Sequence, residues 1–310
     1  MLLYIYSHNN KKKQKKGESH LFPFFFLDQH LNSISPVLSP VLSPMQIQDV
    51  NRKLHALAAL LHLAQGGAIQ YLTSKDPGNG KKWPIYNSVF GTERKIGEYN
   101  LGTLLPIFPY MSSLNHILSY TSESPDADSS LFRTVEYSFS ASVMTWLIAN
   151  LSGVVDIKTL VTLCLLNVMM QYCGLRVERS LSDQNRGEAS RYLGLGFLLH
   201  FTMWFILISS FSSSLDAVKE AQSGTEIPSV VRYIIWVMFL LFTSFGVVCS
   251  LQYGNVLDRD MAERAYIILS MVSKSVLTWM VYFGVIKGAS ADDFPPSANS
   301  SETFRGRVPG

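Results

Sequence analysis

Seven stretches of this chain are each apolar enough, over enough residues, to cross a hydrocarbon core of about 30 Å, which takes roughly 17 to 25 helical residues. They run over residues 52–73, 101–120, 131–153, 157–179, 191–215, 230–253 and 264–288. A span in lipid must satisfy its backbone internally, so the sequence predicts an all-α bundle of seven transmembrane helices. The second stretch is the weakest, because Pro106 and Pro109 interrupt it and Asn115 and His116 dilute it. Composition agrees: 47% of the 310 residues are hydrophobic and only 16% are charged, poorer in charge than an ordinary soluble domain.

The longest internal connection, residues 74–100, carries PGNGKKWP and then a strand-like run from Ile85 to Phe90. It reads as a small β-hairpin outside the bilayer, between helices 1 and 2. The other links are short, which makes sequence neighbours antiparallel. An odd number of spans puts the termini on opposite sides. A slight excess of Lys and Arg on the N-terminal side, which depends on the tail lysines, points to a cytoplasmic N-terminus.

Three domains follow: residues 1–44 as a disordered extension, 45–290 as the membrane bundle and 291–310 as a flexible tail. The extension combines KKKQKK, FPFFFL and the near-repeat SPVLSPVLSP, and repeated Ser-Pro favours extended or turn conformations over helix. A basic patch before a short apolar run also fits a signal peptide, although Pro23 interrupts it, and Met45 is a second possible start. A net charge of +3 with no basic and aromatic stripe excludes a nucleic-acid surface. Cys164, Cys173 and Cys249 lie in apolar stretches and suit buried hydrophobes better than a disulfide framework.

Lys274 stands mid-way along the last span, where a cation costs roughly 2.5 to 3.5 kcal/mol on insertion scales. An apolar pocket destabilises the ammonium and frees the amine, which suits condensation with an aldehyde into a Schiff base. A buried protonated imine needs an anion nearby. Glu136, in VEYSFSASVM on the third span, is the one acid placed to supply it, with Ser140 a helical turn away. A carboxylate there also suits a helix end meeting water, as do Glu178 and Asp156.

Other polar groups fall inside the spans. His62 and Gln65 lie on the first and Ser112 and His116 on the second, where the histidines either relay protons or simply hydrogen-bond neighbouring helices. Ser270, four residues before Lys274, reaches its nitrogen or back-bonds its own helix. Met144, Trp146, Met169, Met170, Trp204, Phe205, Trp236, Phe239, Phe242 and Trp279 either line a flat polyene slot or pack against helices and lipid.

Five strings, in order, resemble the heliorhodopsin family: LLHLAQG around His62, Ser112 with His116, VEYSFSASVM, NVMMQYCGLRVE, and AYIILSMVSKSVLTW around Lys274. They cover most of residues 50–290. The resemblance implies that Lys274 carries all-trans retinal as a protonated Schiff base, with Glu136 as counterion and Ser270 beside it. It places His62, His116, Ser112 and Ser140 in an adjoining polar cavity, Met170 near the polyene and Glu178 at the cytoplasmic end of span four; the aromatic lining reading adds Trp204 to the chromophore site. It also implies an integral, multi-pass membrane protein with a cytoplasmic N-terminus and a homodimer formed partly through the first loop. The expected function is light sensing through a slow photocycle, signalling to an unidentified cytoplasmic partner, with no enzymatic activity and no metal. A light-gated passive proton channel is the alternative. A second carboxylate for pumping is missing from span three, as are the Asn-Pro of span seven and the acid-Arg pair of G-protein-coupled opsins.

Overall fold

The computed structural model describes residues 44–76, 82–89, 92–122, 125–220, 227 and 229–287. The expected extension before residue 44 and tail after residue 290 lie outside the described residues. The chain runs as α1 (Pro44–Lys75), β1 (Lys82–Val89), β2 (Thr92–Asn100), α2 (Leu101–Leu104), α3 (Ile107–Thr121), α4 (Pro125–Leu151), α5 (Ile157–Ser182), α6 (Arg186–Glu220), α7 (Ser229–Tyr253) and α8 (Arg259–Val281), which continues as a π-helix over Tyr282–Ile286. It is mostly helical, with one two-stranded antiparallel hairpin.

Helix ends follow local chemistry. Asp156 caps α5 by accepting from the Thr159 amide at 3.1 Å, and Asp258 caps α8 by accepting from Met261 at 2.7 Å. Such caps satisfy amides that the first turn leaves without carbonyl partners. Gln184 and Asn255 take left-handed backbone angles in the tight turns before α6 and α8. The expected second span is broken where its prolines lie: α2 ends at Leu104 and α3 starts after Pro106, with Asn100 capping α2.

Sequence neighbours from α3 to α8 pack on one another, and α1 closes the ring by packing on both α3 and α8. Among the described residues, α5, α6, α7 and α8 with its π-helical end are long and apolar enough to cross a membrane. Helix α3 is only 15 residues long and carries His116, α1 carries His55 and His62, and α4 carries Arg133 and Glu136. Large apolar side chains such as Leu60, Phe139, Leu198, Phe205 and Leu240 point outward.

The hairpin is longer than the sequence suggests, starting at Lys82 rather than Ile85, with a register shift between Ile85 and Tyr86. It is tied down on the α4–α5 turn. The Tyr86 amide donates to Val155 O at 2.9 Å, the Ser88 amide to Asp156 Oδ1 at 3.1 Å, and Lys158 Nζ to Ser88 O at 2.6 Å. The Tyr99 hydroxyl donates to Asn150, and its ring meets Trp146 edge-on. The turn needs Gly153, whose φ is +86°, a region unfavourable to side chains; a Cβ there would also run into Ser214 Oγ.

The interior divides into two halves. Towards the hairpin, the main apolar core gathers Ile69, Leu105, Phe108, Leu147, Leu163 and Leu207 with Ile234 and Val281. Towards the start of α1, buried side chains are increasingly polar: His55, His62, His116, Arg133 and Glu136.

Candidate functional site

Where the halves meet, Lys274 on α8 is 2% exposed and has two oxygen partners. Its Nζ donates to Glu136 Oε1 at 2.9 Å and to Ser270 Oγ at 2.9 Å. Ser270 reaches it because residues four apart stack on one helix face. From α3, Ser112 Oγ lies 2.5 Å from Glu136 Oε1 and 2.9 Å from Phe108 O, so its one proton serves either acceptor. The Tyr137 ring faces the ammonium at 4.6 Å from its centroid, a cation–π distance. Removing one partner from such a buried pair leaves the other charge uncompensated, at a cost of about 3–5 kcal/mol.

On one side of Lys274 lies a cavity holding about 1010 Å³ of space, its open mouth included. Its walls come from α4 to α8 and include Ser140, Met144, Met170, Phe197, His200 and Phe242. Around Lys274 the lining is mainly apolar, as a polyene aldehyde requires, and it also takes in Asn167, Gln171 and the Arg133–Glu178 pair, which lies between this cavity and the histidines on the other flank. Glu136 Oε2 and Ser140 Oγ have no hydrogen-bond partner, which leaves acceptor capacity beside the Lys274 nitrogen. The donor set and the walls therefore fit retinal.

On the other side is a histidine cluster. The rings of His62 and His116 stack with centroids 5.6 Å apart and planes 6° apart. His116 Nδ1 lies 2.9 Å from Nδ1 of His55, whose Nε2 is 3.8 Å from Glu263 Oε1. Glu263 and Glu178 both pair with Arg133, and Ser130 donates to Glu178. The Arg133 guanidinium also covers the Tyr266 ring at 4.4 Å.

The sequence-derived residues are thus brought together in two groups. Lys274, Glu136, Ser270 and Ser112 form one bonded cluster, while Ser140 and Met170 line the cavity. His62 and His116 form the polar flank. Trp204 does not line the cavity; it is buried behind it, edge-on to Phe242 and Phe239. Glu178 and Asp156, which the sequence allowed to face water, are instead bound, Glu178 to Arg133 and Asp156 to Thr159 and Ser88.

Sequence reasoning missed His55, Glu263, Tyr137 and His200. His55 had a signal, since it precedes His62 by seven residues and shares its helix face. Glu263 had none, because α8 begins at Arg259, a turn before the apolar stretch that marks the span. Arg133 counted only among the basic residues of the N-terminal side.

The comparisons with known proteins bear on this arrangement. The family model for heliorhodopsin matches residues 51–286. The chain belongs to the heliorhodopsin family. The match encloses every helix that builds the site, apart from the first turns of α1. No curated protein matches the chain in sequence. In structure, this heliorhodopsin resembles thermophilic rhodopsin (TM-score 0.58, 12% identity, 79% of this chain and 95% of that one). It also resembles the light-driven proton pump rhodopsin of Coccomyxa subellipsoidea (0.57, 16%, 75% and 96%) and Exiguobacterium sibiricum rhodopsin (0.56, 10%, 76% and 95%). At these identities the likeness is one of fold. Family membership and the apolar helices together make this an integral membrane protein of the retinal-binding rhodopsin class.

Proposed function

We propose that this heliorhodopsin is a seven-helix light sensor whose chromophore, all-trans retinal, is carried on Lys274. The observation that carries the reading is the buried Lys274 amine, held 2.9 Å from Glu136 and opening on an apolar cavity. Helices α1, α3 and α4 complete the seven crossings with the four apolar ones, because all three pack into the same ring and present apolar residues outward.

Bound retinal supplies an aldehyde carbon for the lysine and a conjugated chain that absorbs visible light and isomerises. The protein does the rest. Glu136 stabilises a proton on Lys274 Nζ by opposite charge, as a carboxylate within about 4 to 6 Å does. Ser112 and Ser270 fix the carboxylate and the nitrogen relative to each other, and Met144, Met170 and Phe242 keep water from that side. When the geometry at Nζ changes, its proton has acceptors facing the α1 and α3 flank: Glu136 on α4, then His116 and His62. The rearranged charge on this flank biases the packing of α1 against α8, and a partner at the N-terminal face reads the change.

Signalling is favoured over transport by the asymmetry of the interior. Titratable groups run from Lys274 towards the start of α1, whereas the hairpin half is mainly packed hydrocarbon, with Leu105, Phe108, Leu147 and Val281 fully buried. A pump or channel needs polar access on both sides. A passive proton channel is the second reading, favoured by the polar line itself, and it requires that the hairpin half open in the light.

The slight basic excess on the N-terminal side supports a cytoplasmic N-terminus, which puts the hairpin outside, where a second copy can use it as a dimer contact. The test is the visible spectrum with added all-trans retinal, read with photocurrents. A band that shifts in Glu136→Gln, without photocurrent, is expected. Sustained current against a proton gradient refutes the sensor, current that follows the gradient selects the channel, and no band in folded protein removes the pigment.

A further inference from the structure

We infer that His55 is a proton-relay residue that connects the histidines beside Lys274 to Glu263, and through it to the Arg133–Glu178 pair near the start of α1. The inference rests on the retinal reading of Lys274 and extends it by naming where the proton goes next.

The geometry is specific about the chemistry. Two imidazole Nδ1 atoms 2.9 Å apart must be joined by one proton, so one ring donates at Nδ1 and the other accepts there. The contact is buried, with His55 6% and His116 3% exposed, so water does not compete for it. Each ring keeps a second nitrogen on its far edge. A proton taken up by His116 at Nε2 lets its Nδ1 proton pass to Nδ1 of His55, and His55 then releases its own Nε2 proton to the Glu263 carboxylate. One proton enters and one leaves, no bond between heavy atoms changes, and both rings end neutral in the opposite tautomer. The final gap of 3.8 Å between His55 Nε2 and Glu263 Oε1 is closed by a small side-chain shift or by one water.

The groups facing this line are few: His116 from α3, Glu263 from α8, Arg133 from α4, and His62 on α1 itself. His116 lies one helical turn from Ser112, the α3 residue bonded to Glu136, and His62 stacks on it. Arg133 pairs with both Glu263 and Glu178, so a proton that reaches Glu263 enters this ion-paired group. Just beyond, Asn51 is held between Arg264 at 2.9 Å and Asp260 at 3.5 Å, fixing the α1–α8 seam one turn past His55. The line therefore ends where α1 and α8 meet, the contact through which the proposed signal is read.

The experiment uses the full chain with bound retinal in nanodiscs, comparing wild type, His55→Asn and Glu263→Gln. Asn presents polar atoms at the same place but cannot pass a proton from one edge to another. The expected result is an unchanged visible band in His55→Asn, an unchanged first deprotonation at Lys274, and transient release to a bulk pH dye slowed about tenfold or more. In the dark, 15N spectra of the histidines show the paired Nδ1 signature of His116 in wild type and its loss in His55→Asn. Release at the wild-type rate in His55→Asn, absence of any release in wild type, or a His116 signal indifferent to His55 overturns the relay. Absence of a band in wild type removes the pigment reading itself and the relay with it, whereas a normal band with unslowed release in His55→Asn sinks the relay alone.

Discussion

Replacing Arg133 by methionine tests the polar half of the interior most severely. Among the described residues, Arg133 is the one cation paired with both Glu178 and Glu263, whose side chains are 12% and 13% exposed. The substitution keeps most of the side-chain volume and leaves two acids facing each other with no cation between them. Breaking a buried pair costs about 3–5 kcal/mol, most of it the penalty of the charge left behind. Because that penalty belongs to the carboxylates, neutralising them returns it. Arg133→Met alone is expected to lose about 3–5 kcal/mol, and the triple variant with Glu178→Gln and Glu263→Gln to recover most of that loss. The assay is thermal or denaturant unfolding of the full chain in detergent, followed by helical circular dichroism, as a mutant cycle. Simple addition, with the triple variant at least as unstable as the sum of its parts, would refute a stability set by charge compensation.

Three further outcomes are expected. Asp156→Ala removes the α5 cap and the acceptor for the Ser88 amide, so it should cost about 1–2 kcal/mol and, by freeing the hairpin, speed hydrogen exchange at Ser88; protection equal to wild type contradicts the tether. Burial alone would raise the Asp156 carboxyl, but the Ser88 and Thr159 hydrogen bonds outweigh it and hold it below its ordinary value; its contribution is therefore present above the unfolded carboxylate range and is lost as pH falls through the lower folded value, seen as an acid destabilisation missing from Asp156→Ala. Gly246→Leu extends a side chain from a position where even a Cβ would lie 3.0 Å from the Phe197 ring, and both residues line the cavity; it should block retinal uptake, scored as loss of coloured protein, while the folded fraction stays near wild type.

The helical fold was legible because lipid favours long apolar helices, and apolar length marks α5, α6, α7 and α8 directly. The broken second span was also visible, since Pro106 removes an amide and α2 and α3 stop and start around it. Lys274, Glu136 and Ser270 could be named because a charge in an apolar run is conspicuous and a four-residue spacing fixes a shared face. Residues whose partners lie far along the chain were not accessible in this way. Glu263 reaches Arg133 from 130 positions away, and neither looks buried in its own window. His55 becomes meaningful only when α3 brings His116 against it. Trp204 has the composition of a cavity wall, yet its rotation on α6 puts it behind Phe242, and spacing within one helix does not set that rotation.

The central claim is that Lys274 carries the chromophore. Borohydride reduction of the retinal-loaded protein, followed by peptide mapping with mass spectrometry, fixes any imine where it stands. The account predicts a retinyl adduct on the peptide containing Lys274, absent from Lys274→Ala along with the visible band. An adduct on another lysine, or a visible band that survives in Lys274→Ala, would contradict it.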